Sequence, residues 1–437
     1  MSSGAQLAEI GTSAEPASVG LAWIAGFFFS FRSCIVMIAV RVFGTEARTG
    51  AAVELGLGLL LLGLVCFHSL GAAVRSLGWM SRQSSVRWVV GFLMFSGCSL
   101  TWSGTASLAN SAAYWCGLAV DVAMVVVLFR SDTTTAVAHS LLKGFIWSTC
   151  CLALLAWMMP VQADLRLGDE DYFNTNQIGN LCAFAIFLVQ YLMRCGDGRW
   201  RFAAVLLPVT MLRSLSKATI LAFVLSESVL VIQDRAMSRK TKQLLAVGAV
   251  VTVVVFWGLF EAYYDVYTNA GNQAETLTGR TAIWAYVLGA VPDHPWIGHG
   301  FDSIWKVVPP FGSGQFEARH AENEVLQQLY AYGVCGVVLL AGLYGSLYRR
   351  LRRLPQGSLK TIFNCLLLFI VVRGLVEAES WDLLLPLWAI VVMSMVMERW
   401  ESVGARPAES AVRRVYRGAG ISPGSRNLDL SARSLRG

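Results

Sequence analysis

The sequence predicts an all-α polytopic membrane protein, and three observations carry that expectation. Apolar residues make up 55% of the 437 and charged residues only 14%, whereas a soluble domain carries roughly 25% charged residues. The mean hydropathy is +0.56. The apolar residues also gather into runs that meet or approach the roughly twenty needed to cross lipid as a helix, at 20–43, 51–69, 86–104, 111–130, 141–160, 178–194, 243–261, 326–347, 360–376 and 383–398. The region 202–233 is longer than one span and is interrupted by Arg213-Ser-Leu-Ser-Lys217, so it reads as two helices meeting at a polar break. The total is about twelve transmembrane helices.

Taken in order, residues 1–19 form a small, polar N-terminal segment without a cleavable signal pattern. Residues 20–260 hold helices one to nine, 261–323 a large polar loop, and 324–398 the last three helices. Residues 399–437, rich in Arg, Ser, Gly and Pro, read as a disordered basic tail that leans on anionic lipid. Short cytoplasmic loops are enriched in Lys and Arg. Arg194, Arg199 and Arg201, then Arg235, Arg239, Lys240 and Lys242, then Arg349, Arg350, Arg352 and Arg353 all fall on one side of a twelve-span chain, with both termini. The opposite, outer side receives the polar break, the 261–323 loop with its short amphipathic helices, and Glu377 to Asp382. Both ends are therefore expected in the cytoplasm.

The net charge of +7 sits in loops beside apolar runs, an orientation signal and not a nucleic-acid groove. The ten cysteines lie mostly inside apolar runs with no CxxC spacing, which suits small packing residues better than disulfides or metal ligands. His294 and His299 lack companion ligands, so no metal and no cofactor is expected.

Ionisable groups at or inside membrane helices are costly and mark function by default. Arg213 and Lys217 stand four apart at the break, where one helical turn puts both on one face, suiting a diphosphate. Snorkelling, or pairing with Glu377 and Glu379, is the alternative. Arg373 is a third cation that serves either the diphosphate or a carboxylate one turn on. Arg32 reads as an interior polar contact, and Asp121 and Glu54 as structural partners.

In the loop, Thr278 is placed to cap a helix with Arg280 in its first turn and Ile283, Trp284, Val287 and Leu288 as its apolar face. Such an end favours phosphate. Gly298-His-Gly300 reads as a tight turn. Tyr264, Trp284 and Trp305 suit stacking on sugar rings, and an interfacial aromatic belt accounts for such residues equally well. His320 and Glu322 are both candidates to take a proton from a hydroxyl, with Asn323 beside them as a sugar contact.

The order of these features resembles the O-antigen ligase and polysaccharide polymerase (Wzy-like) superfamily. The resemblance rests on Leu100-Thr-Trp-Ser103, Asn174-Thr-Asn-Gln177, Ser216-Lys217, Thr278-Gly-Arg280 with Trp284, Pro295-Trp-Ile-Gly-His-Gly300, and His320-Ala-Glu-Asn-Glu-Val-Leu-Gln327 running into Gly333-x-x-Gly336. It implies an inverting, metal-independent glycosyltransferase that takes glycan from undecaprenyl diphosphate-linked oligosaccharide, Arg280 and the cation at the break holding the diphosphate and the histidine activating the acceptor. Two departures stand out. Lys217 occupies a slot where the family carries Arg, and Lys makes no bidentate phosphate contact. Glu322 occupies the slot directly before Asn where the family often carries His, and His320 lies two residues upstream.

The resemblance supports a polymerase joining lipid-linked repeat units on the periplasmic face for exopolysaccharide or O-antigen, alongside a flippase and chain-length or export proteins. A ligase that moves finished glycan to lipid A core or protein is the alternative. A transporter is the reading of another class, opposed by the lack of an internal repeat.

Overall fold

The structure is a computed structural model that describes residues 17–70, 78–131, 134–162, 165–169, 171–233, 277–310 and 317–399, with scattered residues between 238 and 261. About half of the expected 243–261 span, the 1–16 segment and the tail after 399 lie outside the described residues.

Helix α1 (Ala17–Phe31) passes through a tight 3-10 turn, Arg32–Cys34, into α2 (Ile35–Arg41). The turn falls at the cation in the middle of this run, and the Arg32 guanidinium pairs there with buried Asp121. Then come α3 (Ala47–Leu70), α4 (Gly78–Ser81), α5 (Ser84–Ser99), α6 (Leu108–Ser131), α7 (Thr134–Met158) and α8 (Thr175–Arg194). Helices α9 (Ala203–Arg213) and α10 (Lys217–Gln233) flank the polar break, as the sequence predicts. Helix α11 (Leu277–Ala290) belongs to the loop, followed by α12 (Glu324–Arg353), α13 (Ser358–Gly374) and α14 (387–399). Among the described residues the nearest thing to a strand is a single bridge between Asp169 and Phe173.

Among the described residues, six helices are long and apolar enough to cross a membrane: Ser18–Arg41, Ala47–Leu70, Leu108–Ser131, Thr134–Met158, Thr175–Arg194 and Glu324–Arg353. The expected runs at 86–104, 202–233 and 360–376 are also helical, but as shorter pieces of 16, 11, 17 and 17 residues. The chain is thus a multi-pass helical membrane protein. Its core centres on Trp388 of α14, which packs on Phe29, Phe145 and Phe184 from α1, α7 and α8.

Two of the basic connections meet at one end of the bundle. The Arg350 guanidinium bonds Gln83, and Arg194 lines one pocket with Gln356 and Lys360. The first turns of α8 and α12 lie at the other end.

Two helices are interrupted, and each interruption frees backbone groups that lipid cannot satisfy. In α12 the break is Gly333, at φ 63° and ψ −154°. The Pro295–Gly300 segment lies along it: Val334 and Cys335 donate to the carbonyls of Pro295 and Trp296 at 2.8 and 3.1 Å, while His299 and Gly300 donate to Tyr330 and Ala331 at 2.9 and 2.8 Å. Gly298, at φ 65°, comes so close that an added Cβ would sit 2.4 Å from the Ala331 carbonyl carbon. The turn itself lies at 295–297, closed by the Gly298 amide on the His294 carbonyl at 3.0 Å, just before the expected Gly298-His-Gly300, whose glycines instead permit backbone-to-backbone contact. The Leu100–Ser103 turn closes the same assembly, since Gly104 donates to the His299 carbonyl at 2.9 Å and Phe301 to the Ser99 hydroxyl at 3.0 Å.

The second interruption, between α9 and α10, is filled by side chains. Leu215 adopts φ 59°, the Thr175 hydroxyl donates to the Ser214 carbonyl, and the Ser216 hydroxyl donates to Asn176 Oδ1 at 2.8 Å. Both partners come from the first turn of α8. That turn is fixed by a capping box in which Gln177 donates its amide to Asn174 Oδ1 at 2.9 Å and accepts from the Asn174 amide at 3.3 Å.

Candidate active site

The break is one end of a chain of polar contacts. Asn176, held by Ser216, donates through Nδ2 to Glu377 Oε1 at 3.2 Å. The same oxygen receives Arg280 Nη2 at 3.0 Å, and Arg280 Nε reaches Glu322 Oε2 at 3.2 Å. The other Glu322 oxygen lies 3.7 Å from His320 Nδ1. Ser216 also meets the Thr219 hydroxyl at 3.0 Å, and Thr219 accepts from Arg373 Nε at 3.2 Å. Five segments, far apart in sequence, thus meet at one point: the start of α8, the break, the start of α11, the loop before α12, and the connection after α13.

Local sequence explains the aim of each side chain. On α11, Ile283 and Val287 are buried against Ile304, Val308, Ala321 and Tyr330. That seat turns the face carrying Arg280 towards the 320–323 loop. Glu322 takes φ 52°, a left-handed conformation unusual for a side chain of this kind and a common sign of a functional constraint. Asn323 then caps α12, accepting from the Leu326 amide at 3.0 Å, and its Nδ2 donates to the Leu375 carbonyl at 2.9 Å. Ser380 donates to the Arg319 carbonyl at 3.1 Å. Two loops, 319–323 and 375–382, are therefore stitched side by side.

Burial sets the electrostatics. Glu377 is 2% exposed. Burial first, and the neighbouring Glu322 second, push its pKa above the usual carboxylate value, against Arg373, His320 and Arg280. Burial likewise raises Glu379. His320 is shifted down by burial, with Glu377 and Glu379 opposing, so it stays neutral at neutral pH. Arg373 is 1% exposed; its Nη1 has no hydrogen-bond partner and stands 4.0 Å from Glu379. A buried guanidinium with an unmet donor, beside an arginine already gripped by two carboxylates, is chemistry suited to an anion that enters and exchanges partners.

The expected site residues divide. Arg280, Glu322, His320, Asn323 and Arg373 come together, and Lys217, exposed, opens α10 next to Ser216 of the contact chain. Arg213 does not follow: its Nη1 donates to the Leu165 carbonyl at 2.5 Å. The one-face expectation for Arg213 and Lys217 presumes an unbroken helix, and Leu215 breaks it. Thr278 is not the cap of its helix, because α11 begins at Leu277 and leaves Thr278 within its first turn. Of the expected apolar face, Leu288 is 51% exposed. Trp284, one turn from Arg280, is half-buried with an indole N–H that lacks a partner. Trp305 packs instead on Trp381, with ring centroids 5.9 Å apart. Tyr264 lies outside the described residues. Of the interior charges, Arg32 pairs with Asp121 as expected.

Three members escape the sequence reading as site residues: Glu377, Glu379 and Asn176. The carboxylates stand out in sequence only as partners for cations, and Asn176 only as part of a motif. A pair of glutamates in a short connection between two apolar runs is the signal that could have marked them.

Residues 202–341 match a family model described as O-antigen ligase. A protein of Pseudomonas aeruginosa, also described as an O-antigen ligase, is 27% identical over 119 residues, covering 27% of this chain and 28% of that protein. The chain therefore aligns with under a third of that relative's length. These findings support the resemblance to the O-antigen ligase and polymerase superfamily. The matched segment carries Lys217, Arg280, His320, Glu322 and the Gly333 kink, while Asn176, Arg373 and Glu377 lie outside it.

Proposed function

We propose that this membrane enzyme of the O-antigen ligase and polymerase type transfers glycan from an undecaprenyl diphosphate carrier to a sugar hydroxyl on the periplasmic side of the inner membrane. The observation that carries the reading is the double grip on Arg280 by Glu322 and Glu377 beside the unmet Nη1 of Arg373. The donor's diphosphate takes over the Arg280 contact now made by Glu377 and reaches Arg373, and Lys217 adds a point charge at the rim. The elevated pKa of Glu377 eases this exchange, since a protonated carboxyl does not repel phosphate.

Between the two candidate bases, Glu322 is paired to Arg280, which makes its carboxylate a weak proton acceptor. His320 is neutral, and in the resting structure its Nδ1 accepts from the Glu322 amide at 3.3 Å, which leaves the ring proton on Nε2. To take the acceptor's proton through Nε2 the ring adopts the other tautomer, its Nδ1–H turned to the Glu322 carboxylate 3.7 Å away. The acceptor oxygen bonds the anomeric carbon from the face opposite the leaving group. The bond from that carbon to phosphate breaks, and the electron pair departs on undecaprenyl diphosphate, stabilised by Arg280 and Arg373. The result is inversion at the sugar carbon.

In the first form of the reading the acceptor is another lipid-linked repeat unit, and the product is a polymer. Ligation of finished glycan to lipid A core is the second form, favoured by the descriptions of the family model and of the relative. Purified protein incubated with undecaprenyl diphosphate-linked repeat units should yield longer glycan, and Arg280→Ala should lower the rate by about 100-fold or more while the protein still inserts. Long glycan made at wild-type rate by that variant would refute the phosphate role. In cells lacking the gene, single-repeat intermediates identify a polymerase and long unattached chains a ligase.

A further inference from the structure

One cluster next to the site has no part in the contact chain through Arg280. Tyr114 of α6 stacks on Trp381 with centroids 4.0 Å apart and planes 20° apart, and Trp305 packs on Trp381 at a tilt of 60°. All three rings are half-buried. Asp302 joins them, accepting from the Trp381 indole at 3.1 Å through one oxygen and from the Ser111 hydroxyl at 2.7 Å through the other. Lys306 stands 5.0 Å over the Trp305 ring.

Beneath Trp381 a small cavity is lined by Asp302, Gln327, Gln328, Glu379 and Asp382. Gln328 is 3% exposed and its Oε1 has no hydrogen-bond partner. A buried acceptor without a donor is costly, and a hydroxyl group would supply one. Aromatic faces edged by a carboxylate, an ammonium group and an amide oxygen are the features that a pyranose ring meets with its C–H face and its hydroxyls.

We propose that Tyr114, Trp305 and Trp381, with Asp302, form a platform for a sugar ring of the acceptor glycan. The inference rests on the transferase reading and adds to it which substrate lies where. The placement follows from the stitch between loops: Ser380, which precedes Trp381, bonds the carbonyl of Arg319, which precedes His320. A glycan lying on the platform therefore ends beside the base, while the donor's diphosphate lies across the cluster at Arg280 and Arg373.

The test uses the full chain in lipid nanodiscs and two probes in titration calorimetry: free oligosaccharide released by mild acid from lipid-linked repeat units, and undecaprenyl diphosphate without glycan. Tyr114→Ala and Trp305→Ala should each weaken oligosaccharide binding roughly tenfold and leave undecaprenyl diphosphate binding unchanged, whereas Arg280→Ala should do the reverse. Tyr114→Phe keeps the ring, and wild-type affinity in that variant guards against misfolding as the cause. Oligosaccharide affinity unchanged in both alanine variants would overturn the platform even if transfer proceeds. Platform-dependent binding without any transfer from the diphosphate carrier would uphold the platform and sink the transferase reading instead.

Discussion

The two interrupted helices differ in what fills the gap. At Gly333 the freed amides of α12 meet backbone carbonyls of 295–296. At Ser214–Ser216 the gap is filled by the side chains of Thr175 and Asn176. Backbone partners are generic, and they fix position without adding chemistry. Side-chain partners reach onward, and Asn176 passes from the break to Glu377 and so to Arg280. The difference teaches that one interruption is scaffold and the other is wired to the ion cluster, although both answer the same hydrogen-bonding demand.

The comparison breaks most visibly at Gly298. Gly298→Ala adds a methyl group 2.4 Å from backbone at a φ of 65°, combining left-handed strain with overpacking. A loss of roughly 2–5 kcal/mol is expected, read as a collapse in folded yield or a large fall in Tm in detergent. A Tm within a degree or two of wild type would mean that the docked segment does not hold the kink.

Asn176→Ala tests the wired interruption. It strips Ser216 and Glu377 of a partner, at roughly 1–3 kcal/mol, and activity should fall further than stability alone accounts for. Equal losses at Asn176 and at a purely structural position such as Gly298 would erase the distinction. Gly179→Ala sharpens it. The added Cβ would meet the Ser216 Cβ at 3.0 Å and the Ser214 hydroxyl at 3.1 Å, so a side chain gives by a few tenths of an ångström. Stability should change by about 1 kcal/mol or less, with a measurable drop in turnover as Ser216 leaves Asn176.

The smallest effect is electrostatic. His320 is held below its ordinary pKa, so the folded state binds fewer protons than the unfolded one, and its contribution to stability is lost as pH falls through about 6.5. Glu377 is held above its ordinary value; its contribution is full below about 4.3 and is lost as pH rises through the elevated value. Between pH 7 and 5 the two oppose one another. His320→Gln should flatten the decline of Tm on acidification and Glu377→Gln should steepen it; the opposite signs would show that the two groups are not buried as described.

Much of this was legible in the sequence for a simple reason: charge inside an apolar run is conspicuous. The break shows because Arg213 and Lys217 interrupt hydrophobic text, and Arg280 and His320 show because they stand in a polar loop. The kink does not, since a glycine in an apolar helix has the same appearance whether the backbone runs straight or turns. Arg213 was misplaced because helical spacing does not carry across a residue at φ 59°. The role of Glu377 escaped because its partner Asn176 is 201 positions away, and no local pattern encodes such a meeting. Trp381 is hidden in the same way, its neighbours Tyr114 and Trp305 coming from separate segments far from it in the chain.

The docking of 295–300 onto Gly333 also imposes an order of assembly. The ladder of α12 cannot close around its kink until that hairpin-like strip has folded back onto it, and the strip is synthesised first. The strip therefore waits in the growing chain for the helix that will take up its carbonyls, and α12 completes its ladder only once the two have docked.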